Sequence, residues 1–308
     1  MAITAAMVKD LRDMTGAGMM DCKKALAATD GDMDKAVEFL REKGLAAAEK
    51  KAGRIAAEGI CETAVSEDGK VAAIVEVNSE TDFVAKNDTF RSFVKAVVNQ
   101  AMVTENTDIE AFLAEKWALD ASKTVKEELS SQIAVIGENM NIRRFQKVVA
   151  ENGFVESYIH GGGRIGVLVE VETTVCNDAA KEAAKNVAMQ IAAISPKYVQ
   201  RTEIPEDYIS HEREILKAQA MNENTGKPEN IIEKMIEGRL NKELKEICLV
   251  DQVYVKDGDL TVQKYLESVG KEIGAPIAVK SFVRFETGEG IEKKSENFAE
   301  EVAKQMGN

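Results

Sequence analysis

A stretch near residue 70 of this chain recurs near residue 164, and that repetition limits what the chain can become more than any other feature. Gly69-Lys70-Val71-Ala72-Ala73-Ile74-Val75-Glu76-Val77 aligns with Gly163-Arg164-Ile165-Gly166-Val167-Leu168-Val169-Glu170-Val171 at a constant offset of 94. Each copy reads as a turn followed by a β-branched strand. Each then reaches an Asn-Asp pair, Asn87-Asp88 and Asn177-Asp178, able to cap a helix over Thr89 to Val103 and Ala179 to Ile194. At that pair the offset has fallen to 90, so the first copy carries four additional residues within Asn78 to Lys86. Both copies build the same strand-helix unit, and a loop lengthened beyond that need is a place for function. It offers Phe83 beside Asp82. Phe83 either folds back on its own helix or presents its ring outward.

Before the first copy, the apolar residues from Ile3 to Leu45 keep a helical period, broken at Thr15-Gly16-Ala17-Gly18 and at Asp30-Gly31-Asp32. Three short helices are expected. Leu45 to Gly59 is rich in alanine and carries Lys50, Lys51 and Arg54, which suits a solvated helical linker.

All four prolines fall late, at Pro196, Pro205, Pro228 and Pro276. Gly226-Lys227-Pro228 splits a long helical stretch with Ile209, Leu216 and Ala220 on one side and Ile232, Met235, Ile236, Leu240, Leu244 and Ile247 on the other. Two antiparallel helices of about 19 residues, about 28 Å long, would make a projecting arm. Its apolar stripe closes within the hairpin or against a second copy of the chain, as a homodimer. A strand over Ile277 to Phe285 and an amphipathic helix over Glu296 to Met306 complete the expected elements.

Several function classes find no support. The net charge of -13 argues against direct nucleic-acid binding, which draws its affinity from Lys and Arg on phosphates. No run of 18 apolar residues is present, so no membrane span is expected, and a cytoplasmic location is. Cys22, Cys61, Cys176 and Cys248 are far apart and His160 and His211 are the only histidines, which points to no metal centre and no cofactor. Gly161-Gly162-Gly163-Arg164-Ile165-Gly166 fits GxGxxG but precedes a strand, so a hairpin turn is expected there. No phosphate loop occurs, and no serine or cysteine stands at a motif spacing from a histidine. The chain reads as a binding protein rather than an enzyme.

Two long segments, Leu11 to Leu26 (LRDMTGAGMMDCKKAL) and Glu76 to Lys86 (EVNSETDFVAK), resemble the two signatures of bacterial translation elongation factor Ts. Ile136 to Arg144, Tyr158 to Gly161 and Arg284 to Lys293 extend the resemblance over essentially the whole chain. It implies an α+β protein with a ubiquitin-associated-like three-helix head and linker (1–54), an N-terminal α+β subdomain (55–150), and a C-terminal α+β subdomain (151–204 and 248–286). A coiled-coil arm (205–247) and a C-terminal helical module (287–308) would complete it.

The resemblance further implies a guanine-nucleotide exchange factor for the GTPase elongation factor Tu, with no covalent chemistry of its own. Thr81, Asp82, Phe83 and Val84 would disturb magnesium binding in that partner, with Phe83 as a wedge. Met20 and Lys23 in the head, and Ile136, Gly137 and His160 in the body, would contact it. At Lys256, beside Val255, the chain departs from the family pattern, which has an apolar residue there. Thr104 to Ser131 is divergent, with no function implied. The alternative reading is a non-catalytic scaffold for a translation partner.

Overall fold

The structure, a computed structural model, describes residues 3–223 and 228–292. The chain begins with α1 (Ala5–Thr15), α2 (Met19–Ala28) and α3 (Met33–Lys51). Thr4 and Asp32 cap α1 and α3 by accepting the Met7 and Lys35 amides, and Gly16 ends α1 in a left-handed conformation. Val8, Leu11, Cys22, Ala25, Leu26 and Ala36 form the small core.

The expectation of a solvated linker from Leu45 needs correction. α3 runs unbroken to Lys51, and its second half lies along α7 (Val125–Ile136). A Cβ placed on buried Gly44 would sit 3.7 Å from Ala134, and Ala48 packs onto the body's core. Arg41 pairs with Glu127 at 3.2 Å and Lys51 donates to the Ile133 carbonyl at 3.2 Å. Small side chains set how closely two helices approach, so the alanine-rich composition marks a packing face.

The first copy of the body runs β1 (Glu58–Val65), β2 (Val71–Ser79), α4 (Asp82–Ala85), α5 (Asp88–Val103), α6 (Ile109–Ala114), β3 (Lys116–Trp117), β4 (Asp120–Thr124), α7 and β5 (Met140–Val149). The second runs β6 (Phe154–His160), β7 (Ile165–Glu172), α8 (Asp178–Ile194), β8 (Val253–Tyr254), β9 (Asp257–Thr261), α11 (Val262–Ile273) and β10 (Ala278–Glu286), with α9 (Glu206–Glu223) and α10 (Glu229–Ile247) inserted after α8. Two three-stranded antiparallel sheets result, in the orders β1-β2-β5 and β10-β7-β6. The fold class is α+β.

Both repeated strands are central in their sheets and covered on both faces, which is why they read as nearly continuous apolar runs. Ala73, Val75 and Val77 face the α5 side, while Ala72 and Ile74 face the other sheet, as a period of two requires. Val167, Val169 and Val171 likewise face α8, and Leu168 joins Ile74, Val155 and Phe285 between the sheets. The body is thus a stack of helix, sheet, sheet and helix. Buried Glu76 joins the layers, accepting from Arg143 (3.1 Å), Arg144 (2.6 Å), Asn78 (3.0 Å) and the Gly288 amide (2.8 Å).

The duplication extends further than the strand-helix unit. Beyond α8 the offset widens from 90 to 137: Trp117 matches Tyr254, the helix caps Thr124 and Thr261 match, and Gly137 matches Gly274 as left-handed ends of α7 and α11. Thr104 to Ser131 therefore contains α6, the β3-β4 hairpin and half of α7. In the second copy α9 and α10 stand where α6 stands in the first.

This inserted pair is antiparallel and about as long as expected, with 18 and 19 residues. Leu216 and Ala220 meet Ile236, Leu240 and Leu244, so the stripe is buried within the hairpin. The pair returns to its point of departure: the Lys197 and Tyr198 amides donate to the Ile247 carbonyl at 2.9 and 3.1 Å. The expected helix over Glu296 to Met306, and with it most of the module over 287–308, lies outside the described residues.

Candidate functional site

The four additional residues of the first copy form a capped turn of helix. β2 ends at Ser79, whose hydroxyl donates to the Thr81 carbonyl at 3.1 Å. Thr81 then caps α4, its Oγ1 accepting the Val84 amide at 3.3 Å. Asn87 closes the segment by accepting the Thr89 and Phe90 amides at 2.8 and 3.2 Å, which starts α5. The turn is fixed from below by Ala85, which is buried, and by Val84, half-buried against the first copy's core.

With Val84 and Ala85 turned inward, α4 geometry puts Phe83 outward. Its side chain is 80% exposed, which excludes the folded-back arrangement. An isolated aromatic ring so presented, on a turn capped at both ends, is the outstanding apolar feature of this region. Beside it Asp82 pairs with Lys86 at 2.6 Å, one helical turn away. The hydrogen bond from Lys86, helped by its charge, holds the Asp82 carboxyl below the usual carboxylate range, so the loop tip carries a fixed anion next to its ring.

A carboxylate from another element holds this loop. Glu138 follows the left-handed Gly137 that ends α7, and its Oε2 accepts the amides of Glu80 (3.1 Å) and Thr81 (3.0 Å). Its Oε1 accepts the Thr81 hydroxyl at 2.7 Å. The exchange is reciprocal, since Glu80 Oε1 accepts the Asn139 amide at 2.5 Å. Asn139 Nδ2 donates to the Arg54 carbonyl at 2.7 Å, and Arg54 reaches Glu80 at 3.4 Å. The sequence by itself assigns no site role to Glu80, Glu138, Asn139 or Arg54.

The remaining expected residues divide. Ile136 is half-buried against the core and Gly137 is exposed, and both adjoin the loop through Glu138. His160 is exposed at the end of β6, its Nδ1 3.0 Å from the Tyr158 hydroxyl. The turn after it, Gly161 to Gly163, is the expected hairpin connection. It shares a cleft of about 270 Å³ with α4, lined by Asp82, Lys86, Arg91 and Arg164 among others. Arg91 from α5 spans it, donating to the Gly162 carbonyl at 2.8 Å. The loop, the end of α7 and the β6-β7 turn are therefore contiguous.

Met20 and Lys23 stand apart on α2, both exposed, with Met20 64% exposed beside exposed Met14 and Met19. Their mechanical link to the loop runs through α3 and α7. Lys256 donates to Asn186 at 2.6 Å, while Val255 is exposed. Among the described residues no group of three His, Cys, Asp or Glu side chains could hold a metal ion, and no helix is long and apolar enough to cross a membrane.

The sequence profile of the Elongation factor TS family matches residues 80–289, from Glu80 at the base of the loop to Glu289 beside Arg144. Over 304 residues, the chain is 57% identical to an elongation factor Ts of Clostridium novyi (strain NT), covering 99% of each chain. It is 57% identical over the same length to one of Clostridium kluyveri, and 56% identical over 305 residues to one of Clostridium botulinum (strain Eklund 17B), again with 99% of each covered.

Proposed function

The chain belongs to the elongation factor Ts family and is a translation elongation factor, and from that premise we propose that it is the guanine-nucleotide exchange factor of elongation factor Tu. It binds Tu carrying GDP in the cytoplasm and speeds GDP release, so that GTP can reload. The observation that carries this reading is Phe83, exposed on a capped turn that the second copy of the same unit lacks.

The chemistry required is small. A magnesium ion at a nucleotide site neutralises the phosphates and holds the surrounding loops, so displacing its ligands weakens the nucleotide. A ring pressed between side chains of the partner gains on the order of 2 kcal/mol from burial, enough to shift a packed two-state region. Phe83 is the wedge in this reading, Asp82 presents charge beside it, and Thr81 and Val84 hold the turn. Ile136, Gly137 and His160 border the same surface, and Met20 and Lys23 grip the partner from the head. The factor itself makes and breaks no covalent bond. Because coupling is reciprocal, whatever it does to GDP affinity GDP does to its own affinity for Tu, and the complex dissolves when nucleotide rebinds.

The test is stopped-flow release of fluorescent GDP from Tu. The native chain should accelerate release, and Phe83→Ala should lower the rate about tenfold, equivalent to about 1.4 kcal/mol of transition-state stabilisation. Binding of the native chain with no change in release rate would overturn the exchange reading in favour of a scaffold.

A further inference from the structure

The loop that carries Phe83 is anchored by a side chain outside it, and the repeat shows what that anchor is for. Counting from the matched glycines Gly137 and Gly274, the first copy has Glu138-Asn139 where the second has Ala275-Pro276. Alanine offers no side-chain acceptor and proline no amide, so neither half of the reciprocal clamp can form in the second copy. That copy also lacks the additional turn. The clamp and the turn occur together, and the β-strands around them fold alike without either one.

Resting on the exchange reading above, we infer that Glu138 is a positioning residue for nucleotide exchange. Its carboxylate fixes the Glu80-Thr81 backbone and so aims the α4 turn and Phe83 at the partner. The geometry suits that task. Three donors converge on one carboxylate, two of them backbone amides that no other described bond satisfies, and the third the hydroxyl of the residue that caps α4. Freed from Glu138, Glu80 and Thr81 keep the chain connection to β2 but lose the direction in which the turn leaves it. An exposed wedge acts only from a defined position, because ordering it during binding would consume the gain from burying it.

Hydrogen bonding, not charge, does this, and glutamine separates the two. In Glu138→Gln the amide oxygen can take the two backbone amides while its NH2 group donates to Thr81 Oγ1, so the pattern survives. In Glu138→Ala it does not. Hydrogen exchange of the Glu80 and Thr81 amides in the free protein, read by mass spectrometry on peptides spanning 78–86, reports the clamp without any partner. Release of fluorescent GDP from Tu at saturating factor reports exchange.

The expected result is faster amide exchange and about tenfold slower saturated release for Glu138→Ala, with both values near native for Glu138→Gln. Affinity for Tu should change less than the release rate. Unchanged release in Glu138→Ala overturns the positioning role, as does a glutamine variant no better than alanine. Should Glu138→Ala lower the melting midpoint below the assay temperature, Glu138→Met fills the volume without an acceptor and replaces it. A native chain that fails to accelerate release overturns the exchange reading itself, whereas altered amide exchange with native release overturns the positioning role alone.

Discussion

Gln190 in the second half of the body makes the bonds that Gln100 makes in the first. Gln100 Nε2 donates to the Lys116 carbonyl at 2.9 Å while its Oε1 accepts the Ala118 amide at 3.0 Å. Gln190 Nε2 donates to the Val253 carbonyl at 3.1 Å and its Oε1 accepts the Val255 amide at 2.8 Å. Each glutamine is buried on the long helix of its copy and holds a short β-hairpin that is too small to hold itself.

Replacing Gln190 with leucine keeps the volume but removes the partner of the half-buried Val253 carbonyl and Val255 amide and of the buried Gln252 side-chain oxygen. Gln190→Leu should cost about 2 to 3 kcal/mol, read as a lower urea midpoint at unchanged slope. A loss below 0.5 kcal/mol, the range of ordinary surface changes, would show that the hairpin holds without its glutamine.

Gly59 and Gly153 are also matched, at φ +122° and +114°. A Cβ on Gly59 would come 2.1 Å from the Val77 carbonyl oxygen of the neighbouring strand. Gly59→Ala therefore combines strain with a backbone clash and should cost about 3 kcal/mol. Gly53→Ala, where a Cβ meets nothing within 4 Å, is the control and should stay within about 0.5 kcal/mol in thermal melts.

Burial by itself would raise the Glu76 carboxyl, but bonds from Gly288, Asn78 and Arg144 outweigh it and leave the group below its ordinary 4.5. A folded value below the unfolded one means that Glu76 stabilises the fold fully above about pH 4.5, and that this contribution fades as pH falls through the folded value. Glu76→Gln should cost about 2 to 3 kcal/mol at pH 7, less than for a fully buried pair because Arg143 and Arg144 keep part of their exposure. Its stability should also fall less steeply than native as the pH drops below about 4.5 in acid titrations followed by circular dichroism.

Of the four cysteines only Cys176 is exposed. Burial pushes Cys61 up to about 12 and Cys248 up to about 11, and raises Cys22 as well. A disulfide reagent at pH 8 should label one thiol quickly in the native protein and all four in denaturant. Fast labelling of a second thiol would show that one of the buried sites opens.

The parts of the fold that show in the sequence are those with long periodic signals: the repeated central strands, α5, α8 and the paired helices after α8. The parts that do not show are held by single side chains. β3 and β8 are two residues each, and the glutamines that fix them sit inside helical patterns as ordinary polar residues. The α3 packing face was hidden because alanine and glycine read as solvated until a partner helix is known. At the site, the exposed loop is visible as a difference between the copies, whereas Glu138 passes for a surface charge. The same repeat comparison, carried on to Ala275-Pro276, contains the signal that exposes it.

The return of α9 and α10 to their starting point bears on how the second copy assembles. Its sheet needs β10 to find β7, far apart along the chain, and the entropy of closing that loop grows with the chain between them. An antiparallel helical hairpin forms from contacts close in sequence and brings Tyr198 next to Cys248 as it does so. Once zipped, it turns a long excursion into a short connection. The effective loop that must close for β7 and β10 to meet is then about that of a chain without the insertion.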